Sequence, residues 1–196
     1  MAQLNSQLSI EQIVVANKSC RLLGLTSVRH GAGVSLICRR VAKTMAVNGM
    51  KTLIISLSKT KGNPSWVSSD KPVAASTLRA AIVPSRYGYD LLPAYNSEGR
   101  PIALNVMQLR HLIDAELADY NRIVFDLQPL SQVDAEGLST VAVSVICDRT
   151  LLVCAIGTDL RGEVSEAVSI LRGAGATLAG IVSNEYRVGS GLRQHA

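Results

Sequence analysis

The stretch of this chain whose residue types and spacing can do chemistry is Thr26-Ser27-Val28-Arg29-His30-Gly31-Ala32-Gly33-Val34-Ser35. An apolar run, Leu22-Leu23-Gly24-Leu25, precedes it, and a segment with helical patterning, Leu36 to Asn48, follows. Strand, glycine turn and helix in that order aim backbone N–H groups and a helix N-terminus at a phosphate. The general pattern for such a loop is G-x-x-x-x-G-K-[ST]. Gly33 and Ser35 satisfy it, while Val34 stands at the lysine position and Val28 at the first small-residue position. The amides of Gly31, Ala32, Gly33, Val34 and Ser35 are candidates to cradle phosphate. Arg29 and His30 are the side chains able to reach phosphates in the lysine's place. The main cation is missing.

Phosphoryl transfer at such a loop needs four parts: cradling amides, a lysine, a Ser/Thr hydroxyl on Mg²⁺ and a carboxylate at a strand end. Ser35 offers the hydroxyl. Asp126, in Ile123-Val124-Phe125-Asp126, offers the carboxylate and is the single catalytic candidate. Ser35 and Asp126 are metal ligands only if a Mg-nucleotide binds. Plainer readings stand beside these. The loop can be a β–α turn that binds nothing, with Arg29 and His30 solvated. Asp126 can serve as a cap or surface group, and Asp134 as an N-cap. His111, His195 and Tyr186 read by default as structural or surface residues.

The elements that position these residues alternate. Strands are expected at Arg21–Ser27, Lys51–Leu57, Tyr89–Pro93, Arg122–Leu127, Thr150–Ile156 and Thr177–Ser183. Helices are expected at Val34–Asn48, closed by Gly49, and at Ile102–Tyr120, Val133–Ser144 and Arg161–Ala174. Residues 58–86 look irregular, with a short helix near Ala74–Ala81. Residues 1–19 carry an amphipathic pattern and are expected to form a packing or docking helix, and 187–196 a flexible tail. The expectation is a single α/β domain over 1–196: a doubly wound, mostly parallel sheet with helices on both faces.

Composition agrees with that fold. Of 196 residues, 47% are hydrophobic with one Trp and one Phe, so the core is aliphatic, as a sheet covered on both faces requires. The charged fraction is 18%, low enough to suggest a surface that a partner covers. The net charge of +5 comes without a dense Lys/Arg run or stacking aromatics, which argues against nucleic acid. Anionic lipid or an acidic partner fits better. Cys20, Cys38, Cys147 and Cys154 lack metal-ligand spacing and read as buried thiols of a reducing compartment. No signal peptide or long apolar span is visible, so the expected location is cytoplasmic, peripheral at the inner face of the membrane.

From about residue 20 to 186 the chain resembles the bacterial tyrosine kinases of exopolysaccharide and capsule synthesis. These are relatives of the septum-site and partition ATPases with deviant Walker motifs. The family loop T-S-A-x-P-G-E-G-K-S-T compares with T-S-V-R-H-G-A-G-V-S-L here. The family's Y-D-x-V-I-I-D-x-P-P compares with Tyr120 to Pro129, with Asp134 at a recurring downstream aspartate. The segment from Thr158 through Leu171-Arg172-Gly173-Ala174-Gly175 to Leu178-Ala179-Gly180-Ile181-Val182-Ser183-Asn184 is similar as well. The resemblance implies a P-loop NTPase-like fold of the deviant Walker type, ATP or ADP with Mg²⁺ as cofactor, and Asn184 as an adenine contact.

The departures bear on activity. Val34 replaces the loop lysine, Leu36 replaces the following Thr, and Ser56 and Ser58 replace both acids of the family's L-I-D-x-D strand. The tail offers Tyr186 in place of a tyrosine cluster, and the N-terminal E-x-x-R-x-x-R oligomerisation motif is absent. Losing a transition-state cation costs about 10³-fold or more in rate. The resemblance with these losses implies a catalytically degenerate, pseudokinase-like protein. It would partner a membrane-embedded polysaccharide co-polymerase or export protein, or associate with itself or family members. The alternatives are a divergent but active ATPase or tyrosine kinase, and a partition-type positioning protein.

Overall fold

The computed structural model describes residues 9–57, 78–93, 105–132 and 138–185. In chain order the elements are α1 (Ile10–Ala16), β1 (Leu22–Ser27), α2 (Val34–Val47), β2 (Thr52–Ser56) and a 3₁₀ turn at Leu78–Ala81. There follow β3 (Val83–Pro84), β4 (Asp90–Pro93), α3 (Val106–Glu116), β5 (Arg122–Asp126) and α4 (Thr140–Ile146). The last three are β6 (Arg149–Ala155), α5 (Arg161–Gly173) and β7 (Leu178–Asn184).

The strands form one sheet in the order β3-β4-β2-β5-β1-β6-β7, parallel except for β3 against β4. β1 is central, with Leu25 in register with Asp126 on one side and with Leu151 on the other. The connection β1–α2–β2 passes over β5, while β5–α4–β6 passes β1 on the other side. The chain therefore reverses its winding direction between β1 and β5, and the crevice at their C-terminal ends is where such sheets bind ligands.

Alternation along each strand divides the core. Leu23, Leu25, Ile54, Val124 and Val153 pack under α1 and α2, against Ile13, Ile37, Val41 and Met45. Leu22, Leu53, Ile55, Ile123 and Phe125 point the other way, under Leu109 and Ile113 of α3 and Val143 of α4. Leu152 and Cys154 meet Ala167 of α5. Sheet strands buried on both faces read as continuous apolar runs, which is why every residue of β1 is buried.

Helix starts follow local chemistry. Ser9 with Gln12, and Asn105 with Gln108, form reciprocal capping boxes. The helix α2 ends at Asn48 with Gly49 at φ +78°, the left-handed stop expected of that glycine. The helices are shorter than the patterning predicts: α3 spans Val106–Glu116, because residues 117–121 turn to feed β5. The pattern of 133–144 places a helix where α4 occupies Thr140–Ile146, residues 133–137 lying outside the described residues. The short antiparallel β3 falls within a stretch expected to be irregular, since two residues carry no period. Ser58, Asp134, Tyr186, His195 and the tail at 187–196 also lie outside the described residues. No helix among the described residues is long and apolar enough to cross a membrane.

Candidate functional site: the loop between β1 and α2

The loop leaves β1 and is zipped at once to the segment after β5. Leu127 N–H donates to Leu25 O, Leu130 N–H to Ser27 O and Ser131 N–H to Val28 O, at 2.8–3.1 Å. The Thr26 hydroxyl donates to Gln128 O at 2.7 Å. Gln128 in turn donates its side-chain amide to Leu57 O at 2.9 Å, so three strand ends are fixed together.

Gly31 and Gly33 have φ of +85° and +87°, which gives the two turns that aim the loop at α2. Gly33 is the N-cap, and its carbonyl accepts the first bonds of the helix from Leu36 and Ile37. The side chains that follow each of these glycines point inward. Ala32 is 2% exposed and Val34 9% exposed, and both join the core beneath α1 and α2. Val28 is buried against Leu152 and Ala167. At the lysine position, then, stands a methyl-bearing side chain that packs with the core.

Asn184, at the end of β7, closes over the loop. Its Nδ2 donates to Ala32 O at 2.8 Å. A Cβ placed on Gly33 would lie 2.2 Å from that nitrogen, so a larger residue there must displace the Asn184 side chain in addition to straining the left-handed backbone. Arg29 turns away from the loop to form an ion pair with Glu163 in the first turn of α5. That guanidinium holds the Glu163 carboxyl below its ordinary range, helped by the Leu160 N–H, which donates to Glu163 Oε2 at 3.2 Å. His30 and Gly31 are exposed at the tip of the turn.

Asp126 is 5% exposed at the end of β5, in register with Ser56 of β2. Ser56 Oγ donates to its Oδ2 at 3.3 Å, and Oδ1 is buried without a hydrogen-bond partner. Burial pushes the carboxyl up to about 6, against the opposing pull of the Ser35 and Ser56 hydroxyls and the Arg39 charge. Arg39 donates Nε to Ser35 O at 2.9 Å, one turn back along α2.

The structure thus brings together Ser35, Ser56, Asp126, Arg39 and the loop amides, and it turns Val34 and Arg29 elsewhere. For a Mg-nucleotide the fit is divided. The orphaned Oδ1 of Asp126 and the hydroxyl of Ser35 are the oxygen donors a hard cation takes. Among the described residues, however, no group of three or more His, Cys, Asp or Glu side chains gathers around a metal position. Nothing at residue 34 balances a triphosphate, so these residues do not fit the complete group. Sequence reasoning missed Glu163, whose place three residues after the α5 N-cap is itself a recognisable signal, and Arg39, whose role depends on packing.

No family model and no curated protein matches the chain. Solved structures do. The kinase domain of Escherichia coli tyrosine kinase ETK superposes with TM-score 0.73 and 20% identity, over 95% of this chain and 76% of that one. The BceF tyrosine kinase domain gives TM-score 0.66 and 20% identity, over 89% and 74%. The septum site-determining protein MinD from Pyrococcus horikoshii, complexed with Mg-ADP, gives TM-score 0.63 and 18% identity, over 87% and 72%. At these identities the likeness is one of fold. The chain has the α/β P-loop fold shared by bacterial tyrosine kinase domains and septum-site proteins.

Proposed function

We propose that this chain is a catalytically degenerate relative of those kinase domains, acting through its surface in exopolysaccharide or capsule assembly. Its partner would be a membrane-embedded chain-length co-polymerase or another export protein, reached from the cytoplasmic side. The observation that carries the reading is Val34: the position that should present an ammonium to phosphate instead packs into the core beneath α1 and α2. Three further features support it. Arg29, the loop's own candidate for a replacement cation, is paired with Glu163. Asn184 is engaged with the loop carbonyl of residue 32. A serine, Ser56, stands beside Asp126 where the resemblance expects an acid.

Within that site the chain's own residues have definable roles. The amides of Gly31 to Ser35 and the α2 N-terminus supply a partial positive charge suited to a single anion. Asp126 and Ser35 would hold a divalent cation if one is bound, and the cation would then supply charge neutralisation for phosphate. The test is phosphate release and tyrosine phosphorylation by the purified chain, alone and with a candidate membrane partner. The proposal expects rates at least about 10³-fold below an intact kinase domain. Comparable turnover would sink it.

A second reading, a divergent active enzyme, is favoured by one observation: Asp126 keeps a buried Oδ1 that no hydrogen bond occupies. It requires a partner to supply the missing cation, and activity appearing only on addition of that partner would distinguish it.

A further inference from the structure

The shoulder formed by α2 and the β3–β4 turn carries a cation cluster that the loop site does not use. Arg40 and Lys43 lie three residues apart on α2, and Val47 follows four later, so the three share one helix face. All are exposed, Val47 to 75%. Across from them, the turn presents Arg86 and Tyr87. Lys43 Nζ sits 5.7 Å and the Arg86 guanidinium 5.0 Å from the centre of the Tyr87 ring. The Arg86 Nη2 also donates to the Tyr87 hydroxyl at 2.8 Å.

The platform is firmly built. Tyr87 stacks on buried Tyr89 with centroids 6.2 Å apart. Ser85 N–H donates to Tyr89 O at 3.0 Å, and Gly88, at φ +87°, faces Ala46 of α2, whose Cβ would lie 3.6 Å from a Cβ placed on the glycine. Residues 34–47 and 82–89 contain no Asp or Glu. The nearest acid in sequence, Asp90, accepts from the Tyr120 hydroxyl at 2.6 Å. Among the described residues no carboxylate pairs with Arg40, Lys43 or Arg86. Like charges gathered on one ring repel, and an anion brought in from outside would relieve that repulsion.

We infer that this shoulder docks onto an anionic lipid surface, with Arg40, Lys43 and Arg86 among the headgroups and the Tyr87 ring and Val47 at the interface. The surface is a helix face and a turn tip whose cations are splayed over two elements, not a groove able to hold a peptide. That form suits a plane of diffuse negative charge, and a tyrosine bearing a polar tip is the side chain favoured at such a boundary. The inference rests on the membrane-side reading proposed above and names the surface that would face the bilayer.

The experiment is co-sedimentation of the full chain with phosphatidylcholine vesicles, with and without added phosphatidylglycerol. Neither nucleotide nor any partner protein is present, so its failure leaves the degenerate-kinase reading standing, and ATP turnover leaves this one standing. Binding is expected to the anionic vesicles alone and to weaken as salt screens the headgroups. Lys43→Gln and Arg86→Gln should each weaken it about fivefold, at unchanged melting temperature because both side chains are exposed. Equal binding to neutral vesicles, binding to neither, or an unaltered double variant would overturn the inference. Retention on immobilised polyglutamate without vesicle binding would assign the patch to an acidic protein and overturn it too.

Discussion

Asp126 and Val34 show what single residues decide. A carboxyl in water ionises well below neutral pH, yet burial raises Asp126 to about 6. Its folded value lies above the ordinary 3.8, so the folded state binds the proton more tightly than the unfolded chain. Stability from this group is therefore present at low pH and is lost as pH rises towards and through 6. Asp126→Asn should stabilise the protein at pH 7 by on the order of 2 kcal/mol and give almost nothing at pH 4, read as shifts in thermal midpoint. A gain independent of pH would refute that assignment. The cysteines provide a second check at this scale. Burial pushes the Cys38 and Cys147 thiols far up and Cys154 up to about 11, so a disulfide reagent should label them only after unfolding.

At the scale of elements, the loop between β1 and α2 is held from outside by β7. Gly33→Ala places a Cβ in a left-handed backbone and against Asn184 Nδ2 at 2.2 Å. The backbone alone costs about 1–2 kcal/mol, and the clash adds to it. Asn184→Ala removes the clash along with its bond to Ala32 O. The double variant should therefore lose less stability than the two single losses added together in a denaturant-unfolding cycle. Strict additivity would mean that Asn184 does not crowd the glycine. The order of strands and helices was legible because alternating apolar runs and helical periods are long-range signals carried by many residues. Gly49 was legible for a different reason, a local backbone demand. The capture of Arg29 by Glu163, far apart in sequence, was not, since only the approach of α5 to the loop creates it. Nor was the inward packing of Val34, because a valine opening a helix gives no sign of which way the core lies.

On the scale of the whole molecule, opposing charges set the response to pH. Asp114, Asp119 and Glu163 are held below their ordinary values chiefly by hydrogen bonds from Arg110, Arg79 and Arg29. Their folded values are depressed, so their stabilisation is present at neutral pH and lost as pH falls through the acid range. Asp126 acts with the opposite sign. Thermal midpoints should then peak near the ordinary carboxyl values, 3.8 to 4.5, and decline as pH rises from there to about 6, where Asp126 titrates. A midpoint rising steadily to pH 8 would show that Asp126 is not desolvated.

The frame itself is complete: a doubly wound sheet with its crevice at the switch between β1 and β5. The chemistry placed there is a packed valine, an arginine paired with Glu163 and a desolvated carboxyl. On the proposed function, this crevice does not handle nucleotide and the protein works through its surfaces. Calorimetric titration of the full chain with Mg-ATP tests it most directly. No saturable heat is expected up to about 1 mM nucleotide, and a Kd of about 10 μM or tighter would overturn the proposed function.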